Sequence, residues 1–230
     1  MLPVTCAGCR REAAGLLCGA CAAALAGARP RPVRPDPAPP GLPPCHAVGR
    51  YAGRLRELIL AYKDRGRHGL ARPLGDALAV AVSAAVPAPR PLLLVPVPTT
   101  ARAVRERRGD HMLRLARAAA TRLRRDGRTV AVGRPLRAVS RPDSVGLSAA
   151  ERVRLARASL LPRRIPRTGH ALAFRPLGSG TPALVVVDDV ITTGATIATT
   201  CGVLAGIGPR VPAAAVLAAT ERRWRATRDY

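Results

Sequence analysis

The sequence predicts an α/β protein built on a parallel sheet with helices on both faces, preceded by a small cysteine-rich module. Three observations carry that expectation. Short apolar runs, Leu92–Val95 and Leu184–Val187, have the length and composition of buried strands. Between them lie segments with helical spacing, such as Leu55, Leu58, Ile59 and Tyr62, and then Leu70, Leu74, Leu78 and Val82. The 230 residues, 48% of them hydrophobic, leave room for one α/β domain and a small module. Aromatic residues make up only 2%, so aliphatic side chains must fill the core.

Residues 1–27 contain Cys6-Ala7-Gly8-Cys9 and Cys18-Gly19-Ala20-Cys21. Two such pairs supply four thiolates, a tetrahedral ligand set for zinc, and a module this short needs the metal for much of its folding energy. The alternative for such pairs is a redox dithiol, which more often opens a helix in a larger fold. Cys45, His46 and Cys201 read as structural residues. Residues 28–44 are rich in proline, which forbids helix and internal sheet and leaves an extended linker. A main domain of residues 45–230 follows.

In that domain the pattern places a strand at His46–Tyr51, the two helices named above, and a strand at Leu92–Val95. The segment Arg102–His111 is strongly basic, and reads either as a solvated face or as a mobile lid beyond a strand end. A helix follows over Met112–Arg125, then short strands at Thr129–Val132 and Leu136–Ser140. Ser148-Ala149-Ala150-Glu151 is a capping box opening a helix. A strand at Ala171–Phe174, the acidic strand with its helix, and a last strand at Val211–Leu217 complete the reading.

The stretch Leu184–Thr196 is the most informative in the chain. An apolar run ends in Asp188 and Asp189, and the small residues Thr192, Thr193, Gly194, Ala195 and Thr196 lead into an apolar helix. Unpaired amides at such a turn, aided by the helix dipole, form a cradle for phosphate. Carboxylates repel phosphate, so the aspartates should meet sugar hydroxyls or a divalent metal. A ribose 5-phosphate satisfies both halves. In the plainer alternative, Asp at a strand end simply caps the following helix. Ligands of parallel sheets bind beyond the carboxyl ends of the strands, where the acidic signature, the segment Lys63–Gly69 and the basic segment around Arg105 should converge. Lys63 is the one lysine among 38 Lys and Arg residues; its compact ammonium suits a point contact with phosphate, unless a single codon escaped by chance.

The net charge of +24 implies affinity for polyanions, including nucleic acid. The absence of Asn and Gln beside so much Arg also fits a genome biased toward GC-rich codons. No run approaches the ~20 apolar residues of a membrane span, and Met1-Leu2-Pro3-Val4 does not open a signal peptide, so a cytoplasmic location is expected.

The acidic pair and small-residue turn resemble those of type I phosphoribosyltransferases. That resemblance implies that Asp188 and Asp189 contact the ribose hydroxyls of phosphoribosyl diphosphate, that Thr192–Thr196 wrap its 5-phosphate, and that magnesium rides on the diphosphate. Together with the four-cysteine N-terminus, Tyr51–Ile59, Lys63–Arg67, Val95-Pro96-Val97-Pro98 and Gly146-Leu147-Ser148 with Glu151-Arg152, nearly the whole chain resembles the ComF family, which is linked to competence and uptake of single-stranded DNA. The fold so implied is a type I phosphoribosyltransferase-like sheet with an N-terminal zinc ribbon. In the enzymatic reading Lys63, Arg65, Arg105, Arg107 and Arg108 bind the diphosphate, and the phosphoribosyl group passes to an unidentified nitrogen nucleophile. Many members read R-G-F-N-Q where this chain has Arg107-Arg108-Gly109-Asp110-His111, and Q-x-G-L where it has Ser144-Val145-Gly146-Leu147. The alternative is a non-catalytic factor acting on single-stranded DNA or with DNA-uptake proteins.

Overall fold

The computed structural model describes residues 4–87, 89–139, 158–163, 181–208 and 210–220. The expected capping box at Ser148, the strand at Ala171–Phe174 and the Arg-rich tail from Glu221 lie outside the described residues.

The N-terminal module holds two short antiparallel strands, β1 (Val4–Thr5) and β2 (Glu12–Ala13), and a helix α1 (Gly19–Ala26) that starts directly after Cys18. Next come β3 (Arg31–Val33), β4 (Cys45–Arg50), α2 (Gly53–Lys63) and α3 (Ala71–Ala85). These are followed by β5 (Leu92–Pro96), α4 (Ala101–Glu106), α5 (His111–Arg125) and β6 (Val130–Val132). A small hairpin pairs β7 (Leu136–Ala138) with β8 (Leu160–Pro162). The chain then forms β9 (Ala183–Ile191), α6 (Ala195–Ala205) and β10 (Ala213–Ala219).

The main sheet has six strands in the order β3-β4-β10-β9-β5-β6. All neighbours are parallel except β3, which runs antiparallel along the edge of β4. The fold is therefore α/β, with a mostly parallel six-stranded sheet flanked by helices and a four-cysteine cluster near the N-terminus. The central strands are apolar throughout, as strands covered on both sides must be. Val185 and Val187 of β9 face α3 and α5 with Leu74, Leu78, Met112 and Leu115. Leu184 and Val186 face the other way, with Ile197, Cys201 and Leu204 of α6.

Two local expectations give way. The Pro-rich segment is not wholly a spacer: Arg31–Val33 pairs with β4 at the sheet edge, where a proline's missing N–H costs no ladder bond, and Val33 and Leu42 are buried in the second core. The basic segment after β5 is not a lid loop throughout. Thr100 caps it, its Oγ1 accepting from the Ala103 amide (3.3 Å), and Arg102 pairs with Glu106 one turn on (2.7 Å), so Ala101–Glu106 is helical. The next helix is likewise capped, Asp110 Oδ1 accepting from the Leu113 amide (3.0 Å), which brings His111 in as its first residue.

The N-terminal module packs on the main domain: Ala7 and Leu25 belong to the same apolar core as Leu58 and Ile59 of α2.

Candidate functional site

The connections of β5 and β9 locate the crevice. β5 is followed by α5 on one face and leads outward to β6; β9 is followed by α6 on the opposite face and leads back to β10. Adjacent parallel strands whose helices leave to opposite faces open a gap at their carboxyl ends, where ligands of such sheets bind. Asp188 and Asp189 lie near the carboxyl end of β9, and the turn Thr192–Gly194 follows it directly.

The turn is built by Gly194. Its φ of +74° is the left-handed region open to glycine, and an added Cβ would meet Leu42 at 3.0 Å. Gly194 serves as N-cap of α6 without a capping side chain. The Thr193 hydroxyl accepts weakly from the Ala195 amide (3.3 Å); among the described residues' turn and loop hydrogen bonds, the amides of Thr192, Thr193 and Gly194 donate to no protein group. Thr192, Ala195 and Thr196 are exposed. The result is a turn of small residues at a helix N-terminus, beyond the carboxyl end of β9, with no protein acceptor for its first amides among the described residues.

The carboxylates are unequal. Asp189 lies on the side of α2 and α5, whose end residues it meets, and the face alternation of β9 breaks around the pair, Val190 packing on the first core and Ile191 in the second. Asp189 is 4% exposed. Its Oδ2 lies 2.7 Å from Lys63 Nζ, at the last residue of α2, and 3.5 Å from His111 Nε2, at the first residue of α5. The contact with Lys63 is a close ion pair, and the His111 ring stands beside the same oxygen. Burial opposes ionisation of Asp189, but His111 and Lys63 outweigh it and keep the carboxyl well below its usual range. Asp188 moves the other way: burial, then the neighbouring Asp189 charge, raise it to about 8, against a backbone hydrogen bond from the Asp189 amide (2.9 Å). Tyr62 closes the floor of the crevice, donating from its buried hydroxyl to the His111 carbonyl (2.6 Å) and so tying the end of α2 to the start of α5.

The basic residues are partly brought together. Arg107 Nε approaches Asp64 Oδ1 (3.6 Å), joining the segment after α4 to the loop after Lys63. Arg65 is engaged by Glu57 (3.0 Å), which also accepts from Arg10 (2.7 Å). Arg105 stands exposed in the last turn of α4, and Arg108 is exposed with φ +52°. Arg114 joins this surface from α5: its Nη1 lies 3.1 Å from His68 Nδ1, and burial with the charges of Arg114 and Arg108 disfavours protonation of that ring. Sequence reasoning missed His111 and Tyr62 as site residues. Asp110, a capping residue placed before an apolar-periodic segment, was the signal that could have set His111 at a helix start.

In the N-terminal module the sulfurs of Cys6, Cys9, Cys18 and Cys21 lie within 4.8 Å of one another, and those of Cys9 and Cys18 are 3.6 Å apart. A tetrahedral ion with metal–sulfur bonds of about 2.3 Å sets its sulfurs roughly 3.8 Å apart, so the four cysteines fit a metal ion. Burial raises the Cys6 thiol, but amides of Cys18, Cys9 and Gly8 outweigh it and lower it to about 6; burial and the neighbouring sulfurs push Cys21 up to about 12. A cation among them would favour the thiolate form of all four. Cys45 and Cys201 are buried in the second apolar core, away from this set, and His46 lies beside Cys45 on β4.

Among the described residues no helix is long and apolar enough to cross a membrane. Compared with models of known protein families and with curated proteins, the chain matches none.

Proposed function

We propose that the chain is a phosphoribosyltransferase-like protein that binds phosphoribosyl diphosphate and transfers its phosphoribosyl group to a nitrogen nucleophile, and that it is a ComF-type protein acting in DNA uptake. The single observation that carries this reading is the adjacency, at one strand end where neighbouring helices leave to opposite faces, of two carboxylates and a turn whose first amides have no acceptor among the described residues. Amides suit a phosphate and carboxylates suit hydroxyls, and a 5-phosphorylated ribose offers both.

In this reading the turn Thr192–Thr196 holds the 5-phosphate through its amides and hydroxyls. Asp188 hydrogen-bonds the ribose hydroxyls, and its carboxyl, raised to about 8, favours, when ionised, the positive charge that develops at C1 as the bond to diphosphate breaks. Lys63 and the arginine surface of Arg65, Arg105, Arg107 and Arg108 receive the departing pyrophosphate. Magnesium bound to the diphosphate would neutralise part of its charge. The four cysteines hold zinc as a structural ion, and a set of reduced thiols suits the cytoplasm. Zinc content of about one per chain is expected on metal analysis.

Thermal unfolding tests the reading. Phosphoribosyl diphosphate with magnesium should raise Tm by mass action. If single-stranded DNA alone stabilises the protein, with a steep salt dependence, the net charge of +24 marks a nucleic-acid-binding factor instead.

A further inference from the structure

We propose that the two adjacent carboxylates divide the site: Asp188 meets the sugar, while Asp189 is a positioning residue that holds the Lys63 ammonium and the His111 ring at the floor of the crevice. This rests on the reading of the site as a sugar-phosphate site, and it departs from the expectation that both aspartates touch the ribose.

The division follows from the burial of each carboxyl and from what it already meets. Asp188 is only partly buried, and it stands on β9 just before the strand hands the chain to the turn Thr192–Gly194 and α6. The Asp189 side chain is only 6% exposed, and one oxygen already faces Lys63 Nζ at 2.7 Å and His111 Nε2 at 3.5 Å. A ribose hydroxyl reaching that oxygen would have to displace a charge partner from a buried carboxylate, leaving the ammonium uncompensated at a cost of several kcal/mol. The convergence is fixed from outside the cluster as well. The hydrogen bond from Tyr62 to the His111 carbonyl (2.6 Å) links the residue before Lys63 to the first residue of α5, so Lys63 and His111 arrive from two helices at one point. The α5 N-terminus adds partial positive charge beside the same carboxylate. Asp189 is thus the counter-ion of a preformed cationic floor, on which Lys63 presents its one compact ammonium.

The lysine's singularity supplies the test. With one lysine in the chain, isotope-labelled protein gives one side-chain ammonium resonance. Calorimetric titration with ribose 5-phosphate and that resonance are compared in wild-type protein, Asp188→Asn and Asp189→Asn. Because a buried charged pair is being broken, the double variant Lys63→Met with Asp189→Leu, which removes both charges and keeps apolar bulk, guards against loss of folding. Asp188→Asn should weaken ribose 5-phosphate binding about tenfold above about pH 8, where the wild-type carboxyl is ionised, and leave the Lys63 resonance in place. Asp189→Asn should leave ribose 5-phosphate affinity undiminished and shift or broaden the Lys63 resonance; the double variant should retain the sugar phosphate. Equal loss of ribose 5-phosphate in both single variants, or a Lys63 resonance indifferent to Asp189→Asn, overturns the division. Wild-type protein that binds no ribose 5-phosphate overturns the sugar-site reading and with it the role of Asp188, while the role of Asp189 still stands or falls on the lysine resonance.

Discussion

Arg67 donates from Nη1 to the Thr5 carbonyl (2.6 Å) and from Nη2 to the Thr5 hydroxyl (3.1 Å), so the loop that carries Lys63 is strapped to the cysteine module. Glu57 makes a second strap by accepting from Arg10 on the module and Arg65 on the loop. Beneath these exposed contacts Gly8 packs on Leu58, and Leu16 sits so close to Gly69 that a Cβ there would meet it at 2.4 Å. Exposed ion pairs contribute little singly; the apolar contacts beneath them carry the coupling. Removing the metal, by chelation or by Cys6→Ser with Cys9→Ser, should cost about 3 kcal/mol or more, roughly 10 °C in Tm at this chain length. Amide exchange should accelerate at residues 64–69 before it does in β9. Unchanged Tm and unchanged exchange would contradict the coupling.

The carboxyl pair sets a pH dependence whose sign can be worked out. Asp188 is raised from 3.8 to about 8 in the folded chain, so between those values the unfolded state has released a proton that the folded state retains. Stability contributed by this group therefore falls as pH rises from about 4 to about 8. Asp188→Asn should remove that fall: its Tm should match wild type near pH 4 and exceed it at pH 8. Asp189, held low, works in the opposite direction, supporting stability above its ordinary value and losing that support in acid. Parallel Tm profiles for wild type and Asp188→Asn across this window would refute the assignment.

At Gly75 the helices α3 and α5 lie close together. A Cβ at this position would lie 2.4 Å from Ala118 Cβ and 2.9 Å from the Ala119 nitrogen, and backbone cannot yield as a side chain can. Gly75→Ala should destabilise by about 1–3 kcal/mol through overpacking, despite alanine's better helix propensity. Because α5 begins with His111, the same variant should also disturb the Lys63–Asp189–His111 cluster. Denaturant unfolding checks the first effect; a stabilised variant would show that the helices part without cost.

At Gly194 the constraint is both conformational and steric. With φ +74° and Leu42 3.0 Å from a hypothetical Cβ, Gly194→Val should distort the turn that leads into α6. A β-branched residue is a strong outlier in the left-handed region. Phosphate-ester affinity should fall well before the sheet unfolds, and calorimetry beside circular dichroism separates the two.

Much of this architecture was legible because its signals are local. The apolar strands at Leu92 and Leu184 and the helix stripe from Leu74 to Val82 need only period and composition, and each lies where the residues indicate. The four cysteines were readable from spacing alone, since two close pairs have few ways to arrange their sulfurs. What stayed hidden depended on partners distant in sequence. Arg31–Val33 looks like linker because proline density masks a strand, and only the edge of β4 offers it a ladder. Ala101–Glu106 is disguised by its charge, although Thr100 and the Arg102–Glu106 pair favour a helix. The acidic pair was readable as a pair, but not its inequality, which depends on α2 and α5 delivering Lys63 and His111 to one face of β9.

Isothermal titration calorimetry with phosphoribosyl diphosphate and magnesium, on wild-type protein and on Asp188→Ala combined with Asp189→Ala, tests the central proposal most directly. Saturable binding at one site per chain in the wild type, abolished in a double variant whose circular dichroism is unchanged, is the expected result. No heat of binding in the wild type, or the same affinity in both proteins, would contradict it.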